Sequence, residues 1–425
     1  MSPPSRGTRI RIAAPQRPSG RNTRTRPFPS NLLAALRIRT ARGVLVAGVL
    51  SVGALVYPTQ AACQTDGDPI ALGTYRVMHS SLLGEDRVLQ VRLPDGYAST
   101  DMGYPVVYLF YSNWVEGYFA QVVNDLYLLT IDRMPEVILV GVPNTQRYRD
   151  LLPWPRRGRE AEEGHADRFL RFVREELIPF VESEYRTKPY RIMVGPQTAA
   201  VFGTYALLEA PGTFQAFVLN DPCQIDNSER SLCGELVAFA RTPQARGIYF
   251  TLSLDSAATR RDPTRLEDLR TGLTTGTTEG FRWRIHVDAD WPYFLAPVDV
   301  RNALLDLFAG YAFPSPSQAE SLAQIQAHYE AFSASLGFPM EPPDLVLTLA
   351  ANGMMEREAY TAALEVLNRL VELYPTSLDG PWNLANLHRL MGDTTTAIRY
   401  YEECLRRDPN IVPAREWLRR LRGVR

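Results

Sequence analysis

The sequence predicts an α/β protein with a doubly wound, mostly parallel sheet, followed by a short C-terminal module of α-helical repeats. Two continuous apolar runs rich in β-branched residues, 105–110 and 137–142, are typical of strands buried on both faces of a parallel sheet. Segments whose apolar residues recur at helical spacing alternate with such runs. Near the C-terminus, matching residues recur with a period of 34. These observations together predict one α/β domain and one helical module.

The predicted α/β domain covers residues 68–312. Its clearest helix lies at 167–184, where apolar residues recur at helical spacing, and a second helix at 198–208 directly follows a short strand. Strands are predicted where apolar residues run continuously or alternate with polar ones. In chain order they are 88–93, 105–110, 137–142, 191–194, 216–219, 247–254 and 281–287.

The C-terminal region is predicted to form a linker with one helix (313–340) and then tetratricopeptide-like helical repeats (341–425). Ala363 and Ala397 are 34 residues apart, and so are Pro375 and Pro409, which suits the small and breaker positions of such repeats. Two repeats bury too little surface to fold alone, so we expect them to pack on the α/β domain or on another subunit. They either complete the domain or bind a protein partner, such as a membrane complex.

The formal net charge of −1 averages two unlike parts of the 425-residue chain. Residues 1–42 form a tail with ten arginines and no acidic residue, and removing those ten positive charges from −1 leaves −11 for the remainder. Such a tail could bind nucleic acid, but it has a single aromatic residue, Phe28, and precedes an apolar run. We therefore predict that it directs membrane topology and has no nucleic-acid partner.

The apolar run at 43–57 predicts how the chain is localised. It has no charged residue, and its length lies between that of a signal-peptide core and the roughly 20 residues that span a bilayer. We predict a signal peptide or membrane anchor at 43–62, with export of the remainder across a bacterial inner membrane. The body then lies on the periplasmic or extracellular side, tethered to the membrane through 43–57.

The four cysteines fit an oxidising compartment. Cys223 and Cys233 flank a short polar loop, where a disulfide would contribute about 2–3 kcal/mol by restricting the unfolded chain. Cys63 follows two alanines and is a weak candidate for lipidation. Cys404 lies in a predicted helix as a core residue. No spacing of cysteine and histidine predicts a metal site, and no cofactor is expected.

The α/β region resembles an esterase family of α/β-hydrolases that includes ferric-enterochelin esterases and formylglutathione hydrolases. The resemblance covers most of residues 70–311, and it implies an α/β-hydrolase fold and carboxylic-ester hydrolysis. The segments that carry it, in order, are Leu93-Pro94-Asp95-Gly96-Tyr97, Tyr104 to Leu109, Val140 to Asp150 (VGVPNTQRYRD), Glu175 to Phe180, Glu184 to Thr187 and Ala303 to Phe308.

The catalytic positions implied by this resemblance hold residues that cannot perform its chemistry. The Gly-x-Ser-x-Gly turn of the family corresponds to 195–199, where Gln197 takes the place of the nucleophilic serine. An amide is not activated to an alkoxide and forms no acyl intermediate. The position of the catalytic histidine falls on Pro292, which cannot accept or relay a proton. Asp255 lies near the position of the acidic residue.

The oxyanion region implied by the resemblance is also altered. The loop after the second strand segment, where the family carries Asp-Gly, has Tyr111 and Ser112, and Thr198 follows the nucleophile position. His286 is the histidine nearest to Pro292, but it belongs to an alternating strand, which favours a polar strand-face residue over a displaced base. We therefore predict a catalytically degenerate, esterase-like interaction protein. The alternative is an active carboxylic-ester hydrolase of the enterochelin-esterase type that uses a non-standard site.

Overall fold

The computed structural model describes residues 72–113, 117–130, 133–144, 146–155, 164–221, 231–255, 263–288 and 297–423. The predicted leader, Cys63, Cys223 and Pro292 lie outside these ranges. Where the chain is described, no helix is both long and apolar enough to cross a membrane. This corrects the predicted localisation: membrane anchoring by an N-terminal apolar helix is not supported.

A single eight-stranded sheet forms the centre of the described chain, with the strands in the order β1-β2-β4-β3-β5-β6-β7-β8. The first two strands form an antiparallel hairpin that joins β4, and β3 to β8 run parallel. The predicted mostly parallel sheet is confirmed. The strands are β1 (Thr74–Ser80), β2 (Glu85–Arg92), β3 (Tyr104–Phe110), β4 (Ile138–Val142), β5 (Thr187–Gly195), β6 (Ala216–Asn220), β7 (Tyr249–Asp255) and β8 (Arg282–Asp288).

Helices cover both faces of the sheet and form the C-terminal module. Residues 173–177 form one π turn between α3 and α4, immediately before Pro179, which has no N–H group to donate to a regular helical ladder. The helices are α1 (Tyr118–Thr130), α2 (Arg147–Leu151), α3 (Ala166–Phe172), α4 (Ile178–Glu184), α5 (Thr198–Glu209), α6 (Leu232–Phe239), α7 (Pro263–Thr274), α8 (Pro297–Leu307), α9 (Leu322–Leu336), α10 (Asp344–Glu356), α11 (Tyr360–Leu373), α12 (Asp379–Leu390), α13 (Thr394–Arg407) and α14 (Val412–Leu421).

The C-terminal helices share one apolar core with the sheet. Val107 and Val194, on one face of the sheet, belong to the same buried cluster as Leu347 of α10, Leu367 of α11 and Leu384 of α12. The helices α13 and α14 close a smaller cluster of their own. The module therefore packs on the α/β domain of its own chain, which was one of the two arrangements expected from the sequence.

A close backbone approach joins the linker to α10. A Cβ atom placed on Gly353 would lie 1.9 Å from the carbonyl oxygen of Ser317. The Arg357 guanidinium donates to the carbonyl oxygens of Ser317 (2.6 Å) and Ala319 (2.7 Å), which holds the linker against the helix. Only glycine at position 353 permits this contact.

We predict that Gly353→Ala lowers the free energy of unfolding by about 2–3 kcal/mol, because the added methyl group forces the linker away from α10. Gly234→Ala is the matched control: its Cβ would meet only the Ser231 side chain at 3.6 Å, and α6 should tolerate alanine or gain slightly. Chemical denaturation of the two variants measures both values. Equal free energies of unfolding for Gly353→Ala and Gly234→Ala would contradict the prediction that the linker requires glycine at position 353.

A carboxylate pair lies where the α/β domain meets α10. Burial, together with the nearby carboxylates of Asp344 and Asp95, raises the pKa of Glu136 from its ordinary value of 4.5 to about 7. Burial also raises the pKa of Asp344, with a contribution from Asp379. Because the pKa of Glu136 is higher in the folded chain than in the unfolded one, its stabilising contribution is complete below about pH 4.5. That contribution is lost as the pH rises through about 7.

We predict that Glu136→Gln raises the free energy of unfolding by about 2 kcal/mol at pH 8 and changes it little at pH 5. Denaturant unfolding of the wild type and the variant across this range measures the difference. Glu279→Gln, at an exposed glutamate, is the control and should show no such pH-dependent gain. Curves for the wild type and Glu136→Gln that stay parallel from pH 5 to 8 would contradict the prediction.

Candidate active site

The turn between β5 and α5 has the sharp geometry of a nucleophile-bearing elbow. Gln197 adopts φ 49° and ψ −116°, a conformation that costs a non-glycine residue about 1–3 kcal/mol. A Cβ atom on Gly195 would lie 2.8 Å from the backbone carbonyl of Ala199, so the strand can approach α5 this closely only at a glycine. The turn thus keeps the form that exposes a catalytic side chain.

The residue at this elbow is Gln197, as the sequence predicted from the resemblance. Its side chain is half-buried at the carboxyl edge of the parallel strands, the edge where α/β proteins bind ligands. A carboxamide can donate and accept hydrogen bonds but cannot attack an ester.

Thr198 begins α5 directly after the elbow. It is 5% exposed, and its Oγ1 atom has no hydrogen-bond partner in the described part of the chain. The Ala199 and Ala200 N–H groups donate to the carbonyl oxygens of Pro196 (3.0 Å) and Gln197 (2.8 Å), so both are used within the turn. The positive end of the helix dipole lies beside Gln197.

The other two residues of the predicted oxyanion region are engaged elsewhere. The Tyr111 N–H donates to the carbonyl oxygen of Val142 at 2.9 Å, which extends the pairing of β3 with β4. The buried Ser112 hydroxyl donates to Oε1 of Gln90 at 2.7 Å. Neither of these groups is directed to an oxyanion in this conformation.

An arginine–tyrosine cluster at the same edge was missed by the sequence reasoning. Arg147 donates to the hydroxyl oxygens of Tyr111 (2.5 Å) and Tyr148 (2.6 Å), and its guanidinium carbon lies 4.5 Å from the centre of the Tyr148 ring. Arg147 and Tyr148 belong to the segment 140–150 that carries the family resemblance. The resemblance of that segment could have indicated a functional role for Arg147, but it does not show which hydroxyl groups the arginine contacts.

A buried ion pair holds the loop that carries Arg147. Arg87 of β2 donates to Asp150 Oδ2 at 2.5 Å, and Asn144 Nδ2 donates to the same oxygen at 3.3 Å. Asp150 and Arg87 are 1% and 5% exposed. Each has a second ion pair, because Arg149 Nε donates to Asp150 Oδ1 at 2.6 Å and Arg87 pairs with Glu85 at 2.7 Å, so the buried charges form a network. The network positions the β4 loop and has no free group for catalysis.

The other predicted triad positions are described only in part. Asp255 is the last residue of β7, two strands away from β5 in the sheet, and its register partner on β8 is Asp288. Pro292 lies outside the described residues. His286 is exposed on β8 and is the register partner of Ser253, which places it on a face of the sheet rather than at the elbow.

Two of the four cysteines lie in the described part of the chain, and their environments differ. Cys233, near the start of α6, is disulfide-bonded. Its predicted partner, Cys223, lies outside the described residues, so this pairing stays a prediction. Cys404 is fully buried between α12, α13 and α14, and burial raises the pKa of its thiol to about 12. The described residues contain no group of histidine, cysteine and acidic side chains that could hold a metal ion.

Comparison with known proteins identifies two regions. The family described as "Putative esterase" matches residues 80–246, and a tetratricopeptide repeat matches residues 382–410. The ferri-bacillibactin esterase BesA of Bacillus subtilis is 30% identical over 143 residues, covering 28% of this chain and 48% of that protein. The uncharacterized protein YbbA of the same species is 25% identical over 146 residues, covering 30% and 54%. The chain thus spans about half the length of these curated relatives.

Solved structures support the fold. An IroE-like serine hydrolase from Shewanella oneidensis aligns with a TM-score of 0.58 and 22% identity over 71% of this chain and 99% of the other. An uncharacterised protein from Capnocytophaga ochracea aligns with a TM-score of 0.50 and 16% identity over 83% and 99%. The resemblance inferred from the sequence is confirmed: the chain has an α/β-hydrolase fold with an esterase-family region at residues 80–246 and a tetratricopeptide repeat at residues 382–410.

Proposed function

We propose that this chain is an esterase-fold protein without esterase catalysis, which acts by binding a protein partner through its C-terminal helices. The observation that carries the first part is Gln197 at the elbow. The backbone there keeps the strained geometry of a nucleophile position, while the side chain has no proton that it can lose to a base. Its neighbours Tyr111 and Ser112 are engaged in structural hydrogen bonds.

The size of the catalytic loss follows from how hydrolytic residues cooperate. Removing a nucleophile or its base costs on the order of a million-fold in turnover, and the oxyanion site alone retains a small residual effect. Gln197 and Pro292 would each abolish covalent catalysis at the family's position. Binding at the old cleft is still feasible, because Arg147 and the start of α5 lie at the same edge of the sheet.

The binding surface that we propose is the face formed by α10, α12 and α14. Asn352 and Asn386 occupy equivalent positions, 34 residues apart, on α10 and α12, and both are half-buried. The Tyr401 hydroxyl donates to Asn386 Oδ1 at 2.8 Å, which fixes the amide and leaves its NH2 group for an acceptor from outside. Paired asparagines at repeat positions suit recognition of a peptide backbone.

Charge indicates the kind of partner. The guanidinium carbon of Arg389, on α12, lies 4.2 Å from the ring centre of Trp417, and that of the exposed Arg420 lies 5.1 Å from the same ring. Two cations therefore flank one indole where α12 meets α14. A segment bearing carboxylates would pair with these arginines while its backbone contacts the asparagines.

A second candidate is the active ester hydrolase with a non-standard site. Ser253 on β7 and His286 on β8 are register partners, so both side chains point to the same face of the sheet. They line one cleft, which is the observation in favour of this candidate. Against it, Ser253 Oγ accepts a hydrogen bond from Asn220 Nδ2 at 3.1 Å, and no hydrogen bond to His286 is formed.

We predict that the purified chain hydrolyses nitrophenyl esters no faster than buffer and that no serine takes up a fluorophosphonate label. The reason is the absence of a nucleophile–base pair at the elbow. The double variant Gln197→Ser with Pro292→His should gain measurable turnover. The ferri-bacillibactin esterase of Bacillus subtilis, assayed in parallel, controls for the substrate and the label.

Ester hydrolysis by the wild type, or labelling of any serine, would contradict the proposal that the protein lacks esterase activity. If Ser253→Ala then removed that activity, the second candidate would be supported. Turnover that survives Ser253→Ala would exclude that residue as the nucleophile and leave an ester hydrolase whose site lies elsewhere.

We predict that an array of acidic, neutral and basic peptides shows binding to the acidic members, because Arg389 and Arg420 supply the charge on the α10–α12–α14 face. Arg389→Glu should reduce that binding about tenfold or more, since it reverses the charge of a half-buried group. Arg406→Glu, the same change on the exposed side of α13, is the matched control and should leave binding intact. Binding measured by fluorescence anisotropy gives the dissociation constants.

Equal binding of acidic and basic peptides would contradict the charge assignment. If Arg389→Glu and Arg406→Glu changed the dissociation constant by the same factor, the face formed by α10, α12 and α14 would not be the binding surface. Neither result depends on the esterase assay, so the two parts of the proposed function are tested separately.

A further inference from the structure

A polar cleft lies between the edge strand β8 and helix α8, away from the elbow. Its volume is about 300 Å³, near the lower end of the range of small-molecule sites. Residues 249, 251 and 253 of β7 pair in register with 282, 284 and 286 of β8, so their side chains share the α8 face of the sheet. On β8 these residues are exposed, which shows that α8 does not cover the edge strand.

The floor of the cleft is polar where a sheet face is usually apolar. Thr251 and Ser253 are 8% and 5% exposed, although they lie next to the apolar Val218 of β6. Ser253 Oγ accepts from Asn220 Nδ2 at 3.1 Å, so its hydrogen is available to be donated. Within the described ranges the hydroxyl has no acceptor, and the cleft is the space beside it.

The two walls offer both donors and acceptors. On α8, the exposed Asn302 amide has no hydrogen-bond partner in the described structure and can both donate and accept. On β8, His286 is exposed, and Arg284 forms an ion pair with Asp306 that uses one of its five N–H groups. Tyr249 Oη donates to the other oxygen of Asp306 at 2.8 Å, which fixes the carboxylate as part of the wall.

The cleft is lined by one arginine and two aspartates, charges of both signs, and this restricts the ligand. Arg284 is balanced by Asp306, and a second carboxylate, Asp299, lines the same space. A strongly anionic molecule would meet these two aspartates, and a strongly cationic one would meet Arg284. A neutral molecule with several hydroxyl groups suits both walls, because each hydroxyl supplies one donor and two acceptor sites. The apolar Val218, Ile285 and Ala303 can contact its C–H groups.

We propose that this cleft binds a small, neutral, polyhydroxylated molecule of the monosaccharide class. The site is independent of the elbow and of the peptide-binding face, and it requires no hydrolysis. The volume accommodates one sugar ring rather than a chain.

The test is ligand-observed and protein-observed NMR titration of the full chain with D-glucose, D-galactose, D-mannose and myo-inositol. D-glucuronate and D-glucosamine serve as the charged analogues. We expect at least one neutral probe to bind and its charged analogues to bind more weakly. Ser253→Ala and Asn302→Ala should each raise the dissociation constant by about three- to tenfold, the loss of one or two hydrogen bonds. Gln244→Ala, at an exposed residue away from the cleft, should leave it unchanged.

Asn302→Ala keeps the test decisive if Ser253→Ala perturbs the fold, because Asn302 is exposed and forms no hydrogen bond in the described structure. Absence of saturable binding by all four neutral probes would overturn the proposal. So would tighter binding of glucuronate or glucosamine than of glucose, or binding of a neutral probe that Asn302→Ala does not weaken.

Discussion

Both faces of the central sheet must be shielded from water, and the rest of the described chain is arranged around that requirement. The strands β3, β4 and β6 are buried on both sides, and so is the end of β5 from Ile192 to Gly195. The helices α3 and α5 cover one face with an aromatic cluster, in which Phe110, Phe169 and Phe202 pack ring against ring. The other face begins under α1 and α8 and continues into α9 to α12. The repeats are therefore part of the same core, and their orientation relative to the sheet is set by it.

Much of this could be predicted from the sequence, where burial on both faces leaves a strong pattern. The runs at 105–110 and 137–142 correspond to β3 and β4. A short, continuous run of apolar, β-branched residues is typical of a strand that is buried on both faces. Strand β1 was not predicted. It is an edge strand that forms by pairing with β2, and apolar residues such as Tyr75 and Val77 are exposed, so burial leaves no alternating pattern in its sequence. The helix expected over 167–184 contains a π turn that depends on Pro179 and leaves no trace in apolar spacing. The predicted localisation depended on the arginine-rich tail and the apolar run at 43–57, both of which lie outside the described residues.

At the candidate site, the sequence located single positions but not the contacts among them. Gln197 was found because a five-residue motif marks the elbow, and the motif survives at Gly195 even without its serine. The strained turn is maintained by packing: the glycine admits Ala199, and α5 is buried almost throughout its first three turns. Strain often marks a functional site, and here packing of the turn against α5 also maintains it. The Arg147 cluster joins the ends of β3 and β4, so only the folded chain reveals it.

Strand β8 shows how one set of side chains meets two requirements. An edge strand presents unpaired backbone groups, and exposed charges oppose pairing with another chain. Arg282, Arg284 and His286 supply that protection, and the carboxylate of Asp306 partners Arg284 from α8. Edge protection explains these charges but not Ser253 and Thr251, which lie one strand further in and are buried. An apolar pair there would let α8 close onto the sheet. The two hydroxyl groups instead give the floor of the groove a polar surface, which suits a polar ligand.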